Sequence, residues 1–188
     1  MSAAAIAPSR DVQRDPAAWP FQVRALTSAL GAEIRGVDLS QEVGADLFAS
    51  VYGAFLTHQV LVFRDQRMPP DRQVAFARQF GEVQVHVMNQ YHAHGHPELY
   101  YLSNVDADGN PTGKHPDKGT LAWHTDGSWS RRTGQATIIY SDEVPAAGGE
   151  TWFCDMYAAW EHLPPQLQAQ LLSLRAVQIG RASCRERV

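Results

Sequence analysis

Cysteine is scarce in this chain of 188 residues: Cys154 and Cys184 are the only two. Two thiols do not make a disulfide framework, and a reducing, cytoplasmic setting is the expectation. Long apolar runs are missing as well. No stretch approaches the roughly 18–20 apolar residues a membrane helix needs, so no membrane partner is expected. The opening residues Met1–Ala7 lack the basic start and long apolar core of a secretory leader. Basic charge is in deficit, with 16 Lys and Arg against 20 Asp and Glu for a net −4, so no basic face recruits nucleic acid. Apolar residues at 44% suffice for the core of a globular domain. Histidine is what the chain has in surplus: eight residues, crowded between His86 and His124.

Residues 1–18 are small, polar and punctuated by proline, and read as a loose segment. Phe21–Leu26 and Ala32–Val37 alternate apolar with polar residues around a glycine-containing turn, which predicts a hairpin. Ser40 is the N-cap candidate for a helix over Val43–Thr57, whose apolar residues fall at 43, 47, 48, 51, 54 and 55. Val60–Phe63 reads as a short buried strand. Pro69-Pro70-Asp71 opens a second helix that Gly81 closes. Beyond it, Val83–Val87, Leu99–Leu102, Gln135–Tyr140 and Thr151–Asp155 read as strands, and Asp106–Gly119 as a long loop. Tyr157–Leu163 and Pro164–Leu172 read as helices, the second started by proline. Helices first and short strands later predict an α+β fold, mainly β, around a sandwich or barrel.

The last ten residues, Ile179–Val188, resemble one reading frame of a common sequencing-library adapter. Three arginines and a glutamate arrive there with no apolar alternation to bury. The expectation is a non-native tail behind residues 19–178, which would be the front part of a longer domain. Encoding DNA that does not read ATCGGAAGAGCGTCGTGT across Ile179–Cys184 would overturn it.

The chemistry centres on Trp123-His124-Thr125-Asp126-Gly127-Ser128-Trp129. On an extended segment residues i and i+2 share a face, so His124 and Asp126 can converge on one cation. An imidazole nitrogen beside a carboxylate oxygen suits Fe(II) in a two-His-one-carboxylate triad with open positions. On the pair alone, a strand-end histidine beside a turn acid is the favoured reading. Phe63-Arg64-Asp65-Gln66, Phe80-Gly81-Glu82, Trp123–Asp126, Gly148-Gly149-Glu150-Thr151-x-Phe153-x-Asp155-Met156 and Tyr157-Ala158-Ala159-Trp160…Leu163-Pro164 follow in that order. Together, from about Phe21 to Gln178, they resemble the taurine/aryloxyalkanoate branch of the Fe(II)/2-oxoglutarate-dependent dioxygenases.

The resemblance implies a double-stranded β-helix (jelly-roll) core with helices outside, incomplete at the C-terminus. It makes His124 and Asp126 two of three iron ligands and Thr151 the hydroxyl that binds 2-oxoglutarate. His86 takes the position that points at the substrate, and Asn89 stands where the family has a tyrosine. Trp129 matches an aromatic of the substrate pocket. The implied reaction couples Fe(II), 2-oxoglutarate and O2 to hydroxylation of a small anionic substrate, with release of succinate and CO2. Sulfonates such as taurine, aryloxyalkanoates and alkyl sulfates all fit that class. Asn89 and the stretch Ser103–Gly109 lean toward aryloxyalkanoates, and self-assembly of the full-length protein stays open. The family also needs a second iron-binding histidine and an arginine for the distal carboxylate of 2-oxoglutarate. After Thr151 only His162, Arg175 and the tail arginines follow, so the chain as it stands is expected to be inactive.

Two other classes stay open at this point. A non-catalytic jelly-roll binding module would keep the fold without the metal. A zinc-dependent hydrolase could use His92, His94 and His96, although Gly95 and Pro97 argue for a solvated loop there. His58 and His162 read as helix-end imidazoles favoured by the C-terminal dipole. Asp106-Ala107-Asp108-Gly109-Asn110 lacks the closing glutamate of a calcium loop. Cys154 reads as an inert buried thiol.

Overall fold

A computed structural model describes residues 19–86, 88–106, 108–112, 122–128, 130–175 and 177. The expected loose segment 1–18 and tail 179–188 lie outside the described residues. The chain divides into two compact units, residues 1–72 with 142–172 and residues 73–141 with 173–188.

The first unit opens on the expected hairpin. β1 (Gln22–Ala25) and β2 (Ala32–Arg35) pair antiparallel, with Arg24 opposite Glu33. Thr27 makes the reversal: its hydroxyl donates to the Leu30 carbonyl at 2.6 Å and accepts from the amides of Ala29 and Leu30. Gly31 leaves the turn at φ +90°, a region that side chains with a Cβ avoid. Helix α1 (Ala45–His58) then carries the chain to β3 (Leu61–Phe63), which pairs parallel with β2. A parallel neighbour requires a crossover of this kind. Ala32, Ile34, Val37, Val51 and Ala54 are buried in this unit, and burial of an aliphatic side chain of valine size or larger contributes about 1.5–3 kcal/mol. The Ser40 cap is not used. Gly44 precedes α1 without a side-chain cap: the helix begins at Ala45, five residues beyond Ser40, whose hydroxyl accepts from Gln41 Nε2 at 3.0 Å.

Helix α2 (Pro70–Phe80) starts on a proline whose missing N–H the first turn does not need, and it ends at Gly81, φ +142°. Arg78 near its end reaches Glu98 at 2.6 Å. In the second unit the chain departs from expectation. Residues 83–86 form no ladder and Val87 lies outside the described residues. β4 (His92–Ala93) instead pairs antiparallel with β5 (His96–Tyr100) across Gly95 at φ +77°. The strand expected at Leu99–Leu102 therefore lies earlier and includes Pro97, tolerated because the ribbon is irregular and both its strands are edges.

The segments 135–140 and 151–155 form no ladder. A strand exists through its partner's hydrogen bonds, and the described residues supply no partner strand there. Helices outweigh strands among the described residues, so the expected mainly-β balance is corrected to an α+β arrangement with two small sheets. Helices α3 (Met156–Glu161) and α4 (Pro165–Leu172) occur as read from the sequence, within two residues. Asp155 caps α3 by accepting from the amides of Tyr157 and Ala158, each at 3.0 Å. Large apolar side chains are exposed across this stretch, Trp152 and Leu172 at 76% each. No helix among the described residues is long and apolar enough to cross a membrane.

Candidate functional site

His124 and Asp126 sit in the second unit where an unladdered stretch, residues 123–125, enters a turn over residues 126–128. Gly127 turns the chain at φ +64° and is buried, and the Ser130 amide closes the turn on its carbonyl at 2.9 Å. A Cβ at Gly127 would meet Gln84 Oε1 at 3.6 Å and the Gly134 amide nitrogen at 3.7 Å, ordinary contact distances, so the backbone conformation and not crowding is what favours glycine. The turn brings His124 Nε2 to 3.2 Å from Asp126 Oδ1.

Proton placement gives that contact its chemistry. His124 Nδ1 lies 2.8 Å from the Ala122 carbonyl, which can only accept, so Nδ1 carries a hydrogen. In the neutral ring Nε2 then presents a lone pair to a carboxylate oxygen. Two lone pairs in contact repel unless a cation, a second proton or a metal ion, lies between them. Adjacent donors on an octahedral metal with bonds of about 2.1 Å stand about 3 Å apart, close to the spacing observed. The second carboxylate oxygen is engaged: Thr137 Oγ1 donates to Asp126 Oδ2 at 3.0 Å. The His124 and Asp126 side chains are about half exposed, open to an entering ion. Among the described residues no third His, Cys, Asp or Glu joins them.

His86 and Asn89 also belong to the second unit. The Met88 amide donates to His86 Nδ1 at 3.1 Å, which leaves the neutral ring's hydrogen on Nε2. The ring packs on Tyr100, centroids 4.5 Å apart. Asn89 begins a short 3-10 turn, Asn89–Tyr91, and is exposed. Trp129 lies outside the described residues. Thr151 belongs to the first unit, exposed, after a turn in which Gly148 and Gly149 both take φ near +80°.

The histidine cluster has structural work. His92 Nε2 approaches the His86 carbonyl at 2.7 Å, and His92 and His96 lie on the two strands of the β4–β5 ribbon rather than in a loop. Among the described residues no group of three potential ligands forms here, so nothing supports the zinc-hydrolase reading. Burial lowers the pKa of His58, which disfavours the imidazolium expected at the end of α1. His162 Nδ1 does reach a helix carbonyl, that of Ala158, at 2.7 Å. Cys154 is exposed, contrary to expectation, because its segment has no sheet to bury it. Asp106 accepts from the amides of Asn110 and Asp108, a closed turn whose hydrogen bonds hold its pKa down.

Several motif residues prove to be scaffold. Arg64 joins Arg24 and Arg35 around the buried carboxylate of Glu33. Gln66 accepts from the Leu39 amide at 2.8 Å and donates to the Val37 carbonyl at 3.1 Å, tying the exits of β2 and β3. Thr137 was missed in the sequence. Its signal is a hydroxyl within the period-two stretch Gln135–Tyr140, on the more exposed face with Gln135 and Ile139.

Comparison with known proteins gives one consistent answer. Residues 22–186 match the taurine catabolism dioxygenase TauD, TfdA family. The alpha-ketoglutarate-dependent 2,4-dichlorophenoxyacetate dioxygenase of Cupriavidus pinatubonensis is 33% identical over 153 residues, 77% of this chain and 53% of that protein. The (S)-phenoxypropionate/alpha-ketoglutarate-dioxygenase of Delftia acidovorans is 31% identical over 158 residues, 79% of this chain and 51% of its own length. A taurine dioxygenase structure from Burkholderia xenovorans superposes with a TM-score of 0.68 at 30% identity, covering 81% of this chain and 51% of that one. The chain thus spans about half the length of the relatives it matches. By the match over residues 22–186, the chain belongs to the TauD, TfdA family of dioxygenases.

Proposed function

We propose that the protein acts as an Fe(II)- and 2-oxoglutarate-dependent dioxygenase that hydroxylates a small anionic organic substrate. The observation that carries this reading is the approach of His124 Nε2 to Asp126 Oδ1 at 3.2 Å, with Nδ1 protonated toward Ala122. A nitrogen and a hard oxygen donor at that spacing fit two adjacent positions on Fe(II). Iron bound by this pair and a further histidine would supply the oxygen activation that couples 2-oxoglutarate decarboxylation to substrate hydroxylation.

The chain's own residues bind and orient. The Thr151 hydroxyl donates to a carboxylate of 2-oxoglutarate, a charge-assisted hydrogen bond. His86 offers its Nε2–H to the anionic group of the substrate, and the Met88 amide keeps that hydrogen on Nε2. Asn89 lies close by in sequence as a second polar contact, and Trp129 supplies apolar surface for the substrate body. A jelly-roll core is the finer fold we infer, supported by the likeness to the taurine dioxygenase structure. Among anionic substrates we favour aryloxyalkanoates. Asn89 supports that choice, as do relatives named for 2,4-dichlorophenoxyacetate and phenoxypropionate.

The test is a panel of aryloxyalkanoates, alkyl sulfates and sulfonates, scored by succinate release from the protein expressed from its native locus. Iron-dependent succinate release that rises with an aryloxyalkanoate is the expected result. Release driven by taurine alone would overturn the substrate class, and no release with any of them would overturn the reaction.

A further inference from the structure

We infer that Thr137 is a positioning residue that fixes how Asp126 binds its metal. The inference rests on the reading of His124 and Asp126 as metal ligands. Asp126 has two oxygens with separate neighbours: Oδ1 faces His124 Nε2 at 3.2 Å, and Oδ2 accepts from Thr137 Oγ1 at 3.0 Å. Thr137 lies eleven residues away along the chain, on a stretch whose exposure alternates residue by residue. The alternation sets the Thr137 side chain on one face with Gln135 and Ile139, and the neighbouring Ala136 and Ile138 on the other.

An unheld carboxylate can turn about its terminal torsion and offer a metal one oxygen or both. A donor on Oδ2 resists that rotation and leaves Oδ1 as the ligating atom. The distinction matters for a three-ligand site. Such a site leaves three of six positions for co-substrate and O2, and a two-oxygen aspartate would take one of them. His124 is held in the same manner, its Nδ1 donating to the Ala122 carbonyl. Each member of the pair therefore has one atom toward the ion and one atom tied to the protein, the usual arrangement for orienting ligands.

The experiment is titration with Co(II) alone, read by visible absorption and by calorimetry, on the protein expressed from its native locus. The variants are Thr137→Val, Thr137→Ser and Asp126→Ala, and thermal melting checks that each one folds. Valine keeps the shape and loses the hydroxyl; serine keeps the hydroxyl. Thr137→Val is expected to weaken Co(II) binding about 10–100-fold and to change the d–d absorption bands at an unchanged melting temperature. Thr137→Ser is expected to restore both the affinity and the spectrum. Wild-type affinity and bands in Thr137→Val would overturn the inference while the Asp126 reading stands. So would equal losses in the serine and valine variants. Wild-type Co(II) binding in Asp126→Ala would remove the ligand reading itself, and this inference with it.

Discussion

Glu33 on β2 stands opposite Arg24 on β1 and takes its guanidinium at 2.6 Å, beneath a surface that leaves the glutamate 1% exposed. Arg35 and Arg64 bind the same carboxylate, so β1, β2 and the residue that follows β3 share one anion. The hydrogen bond from Arg24 and then that from Arg35 outweigh the effect of burial and lower the Glu33 pKa from 4.5 to about 2. A depressed carboxylate stabilises the fold fully above its unfolded pKa, and that contribution is lost as pH falls from about 4.5 through about 2. Urea midpoints should therefore show Glu33→Gln well below wild type at pH 7, with the gap narrowing toward pH 2. A gap of constant size across that range would mean the charge is not what stabilises.

Asp155 caps α3 through two backbone amides, and Asp155→Ala should destabilise by about 1 kcal/mol, within the 0.5–2 kcal/mol seen for lost caps. Asp155→Asn, which keeps an acceptor, should recover most of it. Denaturant unfolding of the two variants side by side is the check.

Thr151→Ala should raise the KM for 2-oxoglutarate by the equivalent of about 1.5–3 kcal/mol, the range for a hydrogen bond to a charged group. The KM for the organic substrate should stay near wild type. A rise confined to the organic substrate would reassign Thr151.

His94→Ala should leave iron-dependent succinate release and metal content unchanged. His94 lies between β4 and β5, and among the described residues it joins no group of three potential ligands. Loss of bound metal in this variant would revive a histidine-cluster metal site.

What the sequence discloses here is what local chemistry decides. The β1–β2 hairpin and α2 are legible because Gly31, Pro70 and Gly81 mark their ends by backbone freedom or ring geometry, and α1 because its apolar residues recur at helical spacing. Ser40 misleads because the helix starts at Ala45, out of reach of its hydroxyl, which accepts from Gln41 instead. The strands expected at 83–87, 135–140 and 151–155 depend on partners distant in sequence, and alternation alone cannot supply a ladder. Cys154 was expected to be buried for the same reason. The β4–β5 ribbon stays hidden because Gly95 and Pro97 read as breakers, whereas the glycine makes its turn and the proline tolerates its edge. At the site, His124 and Asp126 are visible as an i, i+2 pair. Thr137 and the Ala122 carbonyl are not, because hydrogen bonds to a ligand's far atom leave no spacing signature.

In the proposed reaction His124 and Asp126 hold the iron that drives 2-oxoglutarate turnover. The direct measurement is Fe(II)-dependent succinate formation, with bound iron quantified in parallel, for wild type and Asp126→Ala expressed from the native locus. Wild type is expected to bind iron and release succinate, and Asp126→Ala to lose both while melting at the wild-type temperature. Succinate release at the wild-type rate by Asp126→Ala would contradict that assignment.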